Sequence, residues 1–264
     1  MDKIIIEKGQ SASKFLQFSP GDDHIYIIIE DDATLNATLL INMPAGTSHA
    51  LRLEVEQHAR SRFNLVDVTL KTGTATADLH VSLVGQGASA ALAGAVIADG
   101  EQTVEKRVLV EHVATGCTSD MLYKQVLSGK SCGLVHGKVL VRPDAQQSAS
   151  EQTLANLCTS PDARALAQPM LEIYADDVKC NHGATTGKLD EAALLYMRQR
   201  GIPEIEARLL LQHAFVNDVL SRIPSDELRE RLSHLVEHRF RGELKACNGC
   251  SLCEDPLRPT AAEG

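Results

Sequence analysis

The chain has 264 residues, a formal net charge of −9 and a pI of about 5.6. This acidic balance argues against binding to nucleic acid or to an anionic membrane surface. Hydrophobic residues make up 44% of the sequence but aromatic residues only 3%, so Val, Leu, Ile and Ala must build the core. Such a uniform aliphatic set favours a repetitive β or helical architecture.

Targeting signals and cysteine usage indicate the compartment. Residues 1–6 lack the basic and apolar sections of a signal peptide, and no apolar run approaches the length of a membrane span. We therefore expect a cytoplasmic protein. The seven cysteines are an odd number, which indicates thiols or metal ligands rather than a disulfide framework.

From Lys3 to about Ala184 the sequence consists of short apolar or alternating segments divided by Gly, Asp, Asn and Ser. Leu51, Leu53 and Val55 alternate with charged residues, as a half-buried strand requires. This spacing predicts an all-β region, which could be a sandwich, a barrel or a solenoid. The scarcity of aromatic residues favours a parallel β-helix among the three.

The rhythm loosens between Pro143 and Pro169. Gln146, Gln147, Gln152 and Asn156 are interpreted there as polar turns or strand edges, and residues 161–164 as an exposed loop.

After Lys188 the apolar period changes from two to about 3.6 residues, which predicts helices. Asp190 is a plausible N-cap, Gly201 and Pro203 end one helix and open the next, and a third begins near Ser225. Leu194, Leu195 and Met197 are expected to form the apolar face of the first helix, and Leu228, Leu232, Leu235 and Val236 that of the third. The predicted divisions are a β core over 1–188, a helical segment over 189–246 and a Cys-rich flexible tail over 247–264.

The closest Cys/His pair in the chain lies where the β region ends. Cys180 and His182 are two residues apart, so in a strand the thiol and the imidazole point from the same face. Together they suit zinc or iron–sulfur chemistry, and packing in a core is the alternative interpretation. The nearby stretch 183–188 has the wrong spacing for a phosphate loop, so nucleotide binding is not predicted.

Three more cysteines form a compact run near the end of the chain. Cys247, Cys250 and Cys253 have the spacing of the first three ligands of a bacterial ferredoxin-type cluster, but no fourth cysteine follows. They are candidate metal ligands, and a cluster-binding redox protein that uses this tail is one alternative function. A disordered reactive tail is the other interpretation.

Several motifs resemble the SufB/SufD family of iron–sulfur cluster assembly proteins, and its SufD-like branch in particular. The stretches that carry the resemblance are 171–190 and 195–202, with shorter matches at 110–113, 137–141 and 145–147. They lie within roughly residues 100–223. Long family members have an N-terminal helical domain, whereas strands begin here at Lys3, so we expect a SufD-like short form. The three-cysteine run is not part of the family pattern.

The resemblance implies a right-handed parallel β-helix followed by C-terminal helices. It also implies a non-enzymatic scaffold that dimerises with a SufB-like subunit or with a second copy of itself. A transient iron–sulfur cluster would form at the subunit interface, with His182 at the motif position of the ligand and Cys180 beside it. A SufC-like ABC ATPase would dock on the helices, and we expect Leu210 and Phe215 to take part.

The rival interpretation is a carbohydrate-active enzyme, such as a polysaccharide lyase or hydrolase, on a β-helix. That chemistry would use paired acids or a basic cluster in a groove. Asp176 and Asp177 are adjacent, so in a strand their carboxylates would face opposite ways.

Overall fold

The computed structural model describes residues 2–242, and the chain divides into two compact units after Lys188. Among the described residues, the first unit contains fourteen β-strands and the second three α-helices. The predicted boundary between helical segment and tail at residue 246 lies outside the described residues, as do Cys247, Cys250 and Cys253.

The strands alternate between two parallel sheets of seven strands each. One sheet contains, in spatial order, β1 (Asp2–Ile6), β3 (Gly21–Ile29), β5 (Ser48–Gln57), β7 (Thr74–Leu83), β9 (Thr103–His112), β11 (Cys132–Val141) and β13 (Arg164–Ile173). The other contains β2 (Ser11–Gln17), β4 (Thr34–Asn42), β6 (Arg62–Lys71), β8 (Ser89–Ala98), β10 (Thr118–Leu127), β12 (Ser148–Cys158) and β14 (Val178–Gly187). This arrangement is a parallel β-helix, as predicted.

The core consists of aliphatic side chains stacked in register between the two sheets. Leu53 pairs with Leu79 and Leu79 with Val108, and all three are buried. Because neighbouring strands lie about 4.8 Å apart, identical positions in successive turns contact each other directly. The alternation predicted for β5 is therefore confirmed, with Leu51, Leu53 and Val55 inside.

The interpretation as polar turns is correct for Gln146 and Gln147, which lie in a turn before β12, and wrong for the other two residues. Gln152 and Asn156 lie within β12 and are only 1% and 3% exposed. The sequence pattern was misleading because their polar side chains face the interior, where other polar side chains meet them. The loop predicted over 161–164 is confirmed except at Arg164, because the connection covers residues 159–163 and β13 begins at Arg164.

An ion pair lies inside the solenoid. Lys106 Nζ donates to both carboxylate oxygens of Asp67, at 3.0 and 2.8 Å, and each side chain is 1% exposed.

The ring of Tyr123 packs against Gly94 so closely that a Cβ at position 94 would lie 2.1 Å from a ring carbon. Glycine is therefore required at position 94 by the aromatic ring on the next strand.

The second unit contains α1 (Glu191–Gln199), α2 (Glu204–Leu220) and α3 (Asp226–Phe240). The predicted N-cap is confirmed, since Asp190 accepts from two N–H groups of α1. The third helix begins at the predicted place, where Ser225 accepts from Leu228 N and caps α3. Gly201 has a φ of +85°, which a glycine accommodates without strain.

The apolar stripe predicted for the third helix is buried, and it consists of Leu228, Leu232, Leu235 and Val236. The expectation for the first helix is wrong in part, since Leu195 is 55% exposed while Leu194 is buried. No helix in residues 2–242 is both long and apolar enough to cross a bilayer.

Candidate functional site

The structure places Cys180 and His182 on β14, the last strand of its sheet. β14 pairs with β12 on one side, and its other edge ends the sheet. Cys180 is half-buried against a small cluster that includes Val139 and Val141, whereas His182 is exposed. The thiol is thus partly packed and the imidazole accessible, at the terminal edge of the β-helix.

Both side chains end in-register columns of interior residues, and the residue of each column on β12 is polar. Ser150 pairs in register with Cys180, and Gln152 with His182. In-register residues of a parallel ladder project from the same face, so Cys180 and His182 follow the interior side chains of β12. The interior columns therefore end at the candidate site.

The first column begins at a buried histidine. His112 Nε2 lies 2.8 Å from Ser119 Oγ, and Ser119 donates to Ser150 Oγ at 2.8 Å. The ring of His112 is therefore linked to Ser150 through the hydroxyl of Ser119. Burial lowers the pKa of His112 to about 4, so the ring is neutral at physiological pH.

The second column ends at His182, and Gln152 is the residue that precedes His182 in it. Gln152 Nε2 donates to Met121 Sδ at 3.4 Å, and its amide packs on Gly137, where a Cβ would lie 1.8 Å from Nε2. A third column ends at Thr186: Gln125 donates to Asn156 at 2.7 Å, and Asn156 donates to Thr186 Oγ1 at 3.0 Å.

Several buried polar atoms near these columns have no hydrogen-bond partner within residues 2–242. They are His112 Nδ1, Tyr123 OH, Gln125 Oε1, Ser148 Oγ and Gln152 Oε1. Unpaired buried groups are uncommon and usually meet water or a ligand. The interior near the site is therefore polar, in contrast to the aliphatic interior of β8, where Ala90, Leu92 and Val96 face inward.

The electrostatics of Cys180 favour the protonated thiol. Burial raises its pKa, and the backbone of Ser150 opposes that shift by hydrogen bonding. A protonated thiol is a poor nucleophile and metal ligand, so a cation or a metal ion must lower its pKa before it reacts.

Within the described part of the chain, no three His, Cys, Asp or Glu side chains form a group that could hold a metal ion. Cys180 and His182 therefore offer two ligands, fewer than a four-coordinate site needs. The carboxylates considered for the enzyme interpretation, Asp176 and Asp177, are exposed on a bend between β13 and β14 rather than in a strand.

The two residues predicted to bind the ATPase lie on α2. Leu210 is 46% exposed, whereas Phe215 is half-buried. Sequence reasoning missed three more exposed apolar side chains of the helical unit, which are Leu195, Tyr196 and Ile205. It also missed His112, Ser119 and Ser150, because their association depends on strand register.

The fold and the site define a parallel β-helix protein with a Cys/His pair on its terminal strand and a helical unit after it. The family model described as "SUF system FeS cluster assembly, SufBD core domain" matches residues 3–215. The chain belongs to this family of SUF-system proteins.

Curated relatives agree with this membership. An iron-sulfur cluster assembly SufBD family protein of Mycobacterium tuberculosis is 31% identical over 226 residues, which cover 83% of this chain and 57% of the relative. The SufD protein of Escherichia coli is 31% identical over 141 residues, which cover 53% and 33% of the two chains. The Arabidopsis thaliana protein ABCI7, chloroplastic, is 27% identical over 245 residues, with 89% and 51% covered. The chain spans about half the length of such relatives.

Proposed function

We propose that this chain is a non-enzymatic scaffold subunit of a SUF-type iron–sulfur cluster assembly complex. It holds a nascent cluster transiently at a subunit interface and docks a SufC-like ABC ATPase through its helices. The observation that carries the proposal is the position of Cys180 and His182 on the terminal strand of the β-helix. The neighbouring subunit is SufB-like or a second copy of this chain.

The incomplete ligand set supports an interface. A cluster iron or a zinc ion takes about four ligands, and Cys180 and His182 supply two. A second subunit that meets the β14 edge would bring the others, because an open strand edge is itself a surface for strand pairing. β13 adds exposed apolar side chains at the same end of the β-helix, namely Leu166, Met170 and Ile173.

The two ligand residues have different roles in this proposal. The thiolate of Cys180 is the better sulfur acceptor, and the imidazole of His182 is the better iron ligand. Binding of a metal or approach of a cationic group would lower the thiol pKa that burial has raised. The protein fixes both side chains on one strand face, two residues apart.

Anaerobic co-expression with the ATPase and the second subunit tests the cluster site. His182→Ala should lower the iron retained after purification, and Cys180→Ser should lower both iron and sulfide. Cys158→Ser is the matched control, because Cys158 is a half-buried thiol at the end of β12, away from the Cys180/His182 pair. Unchanged iron and sulfide in both site variants, with normal complex formation, would contradict the ligand assignment.

The helical unit is the proposed docking surface for the ATPase. Four of its large apolar side chains are substantially exposed, at 46–77%, and they are Leu195, Tyr196, Ile205 and Leu210. Exposed apolar side chains of this size commonly mark protein interaction sites.

Leu210→Asp tests the docking surface without disturbing the core, since Leu210 is on the surface of α2. The variant should lose co-purification with the ATPase while its circular dichroism is unchanged. Phe215→Asp should lose binding as well, but its half-buried side chain makes a loss of helix stability part of the expected result. Val84→Asp, at an exposed apolar residue of the β-helix, is the control. Retained binding by Leu210→Asp would count against this surface.

Dimerisation through the end of the β-helix has its own test. Light scattering at micromolar concentration should show a dimer, either of this chain or with a SufB-like subunit. A monomer under both conditions is incompatible with the interface site. The cytoplasmic location remains a prediction from the sequence.

A further inference from the structure

The side chain of Gln152 holds an unpaired acceptor next to the candidate site. Gln152 is 1% exposed, and its in-register neighbour on β14 is His182. Among the described residues, nothing donates a hydrogen bond to Gln152 Oε1. A buried carbonyl oxygen without a donor costs stability, so we looked for a donor within its reach.

The amide of Gln152 is held in one orientation. Its Nε2 donates to Met121 Sδ at 3.4 Å, and Met121 is the in-register neighbour on β10. The amide nitrogen also occupies the space over Gly137, where a Cβ would lie 1.8 Å from Nε2. The strands β10 and β14 flank β12 on opposite sides. Because the nitrogen and the oxygen of an amide point apart, Oε1 is directed away from β10.

Side chains in this part of the sheet bond to their in-register neighbours on the next strand. Gln125 donates to Asn156 at 2.7 Å, and Asn156 donates to Thr186 at 3.0 Å. The second of these bonds shows that a side chain of β12 reaches its neighbour on β14. The corresponding step from Gln152 to His182 has an acceptor and an imidazole but no hydrogen bond.

The imidazole of His182 supplies a donor of the right kind. A neutral ring carries its proton on one nitrogen and offers the other nitrogen to a metal ion. Nδ1 is nearer the β14 backbone and hence nearer a side chain of β12, whereas Nε2 lies farther out on this exposed residue. Histidines that bind metals almost always donate their second ring nitrogen to an acceptor, which fixes the tautomer and the ring orientation.

We propose that Gln152 is a positioning residue for His182, whose Nδ1–H donates to Gln152 Oε1 and leaves Nε2 unprotonated for iron. This inference rests on the proposed role of His182 as an iron ligand. The bond requires a rotation of the His182 side chain, and the open edge of β14 leaves room for it. Gly137 contributes indirectly, because a larger residue there would displace the amide.

Long-range ¹H–¹⁵N correlation spectra of the histidine rings test this contact without iron. The full chain is labelled with ¹⁵N-histidine, purified with a chelator and measured at about pH 8.5, where a ring of ordinary pKa is neutral. His182→Ala identifies the signals of His182. In the wild-type chain this ring should carry its proton on Nδ1. In Gln152→Met, which has a similar volume but no acceptor oxygen, both tautomers should appear.

Ser150→Ala is the matched control. Ser150 is buried on the same strand at 4% exposure, and it lies in register with Cys180 instead of His182. This substitution removes a buried hydrogen-bonding group, as Gln152→Met does, but it should leave the His182 tautomer as in the wild type. Circular dichroism should show the same β-sheet content in all three chains.

Iron retention in the co-expressed complex measures the consequence. The chelator concentration that removes half of the iron should fall about tenfold or more in Gln152→Met, as expected when a histidine ligand loses its outer partner. Unchanged retention in this variant, together with loss of iron in His182→Ala, would overturn the positioning role.

The spectra give two further results that would overturn the inference. One is a wild-type ring with its proton on Nε2 or on both nitrogens, which decides the question even if Gln152→Met does not fold. The other is an equal change in Gln152→Met and Ser150→Ala, which would indicate a general disturbance of the interior. Failure of the proposed function is distinguishable, because His182→Ala would then retain iron while the tautomer of His182 still depended on Gln152.

Discussion

Replacement of His112 should change how stability depends on pH. The pKa of this buried ring is lowered from 6.5 to about 4 by burial. The unfolded chain therefore takes up a proton as the pH falls below 6.5, whereas the folded chain does so only near pH 4. The stability that comes from keeping the ring neutral is present above pH 6.5 and is lost progressively between 6.5 and 4.

The size of the effect follows from the shift. Each unit of pKa difference corresponds to about 1.4 kcal/mol, so the full change across this window is about 3 kcal/mol. His112→Gln is neutral at every pH and keeps a side-chain N–H for Ser119. We therefore expect the wild-type chain to lose about 3 kcal/mol more than the variant between pH 7 and pH 4.

Urea unfolding followed by far-ultraviolet circular dichroism, at pH steps from 7 to 4, measures this difference. Ser119→Ala is the control, because it removes the hydrogen-bond partner of His112 and keeps the titrating ring. It should lower stability at every pH by about 1–3 kcal/mol without changing the pH slope. Parallel loss of stability in wild type and His112→Gln would refute the assignment of a neutral buried ring.

Three further predictions concern the interior and the site. Asp67→Asn should lower the free energy of unfolding by about 3–5 kcal/mol, because it leaves Lys106 charged and buried. The double variant Asp67→Leu/Lys106→Met should lose much less. Equal losses in urea unfolding would contradict a buried ion pair. Gly94→Ala should cost about 1–3 kcal/mol in the same assay by colliding with Tyr123, and a Tyr123→Leu background should reduce that cost. Burial raises the pKa of Cys180, so this thiol should be alkylated slowly at neutral pH and faster as the pH rises. Peptide mass spectrometry follows the alkylation. A rate that is already maximal at pH 7 would count against a buried thiol.

Local features of the chain were predictable because their causes are local. Strict alternation around Leu53 requires a half-buried strand, and the N-caps at Asp190 and Ser225 satisfy N–H groups only a few residues away. Cys180 and His182 lie in one strand, and their spacing of two residues then puts them on the same face. Exposure was harder to predict, as Leu195 demonstrates, because an apolar period does not say how wide the buried face is.

The sequence by itself thus determined the alternating strands before Pro143, the change from strands to helices and the motif at the end of the β region. Only the tertiary structure decided which residues meet across turns of the solenoid. Lys106 and Asp67 are 39 residues apart, and Ser119 and Ser150 are 31 apart. Because the turns between strands vary in length, the sequence does not show which residues are in register. A register shift of one residue would send each of these polar side chains to the opposite face of its strand. Packing between turns selects the register, and that nonlocal choice places Gln152 in the interior beneath His182.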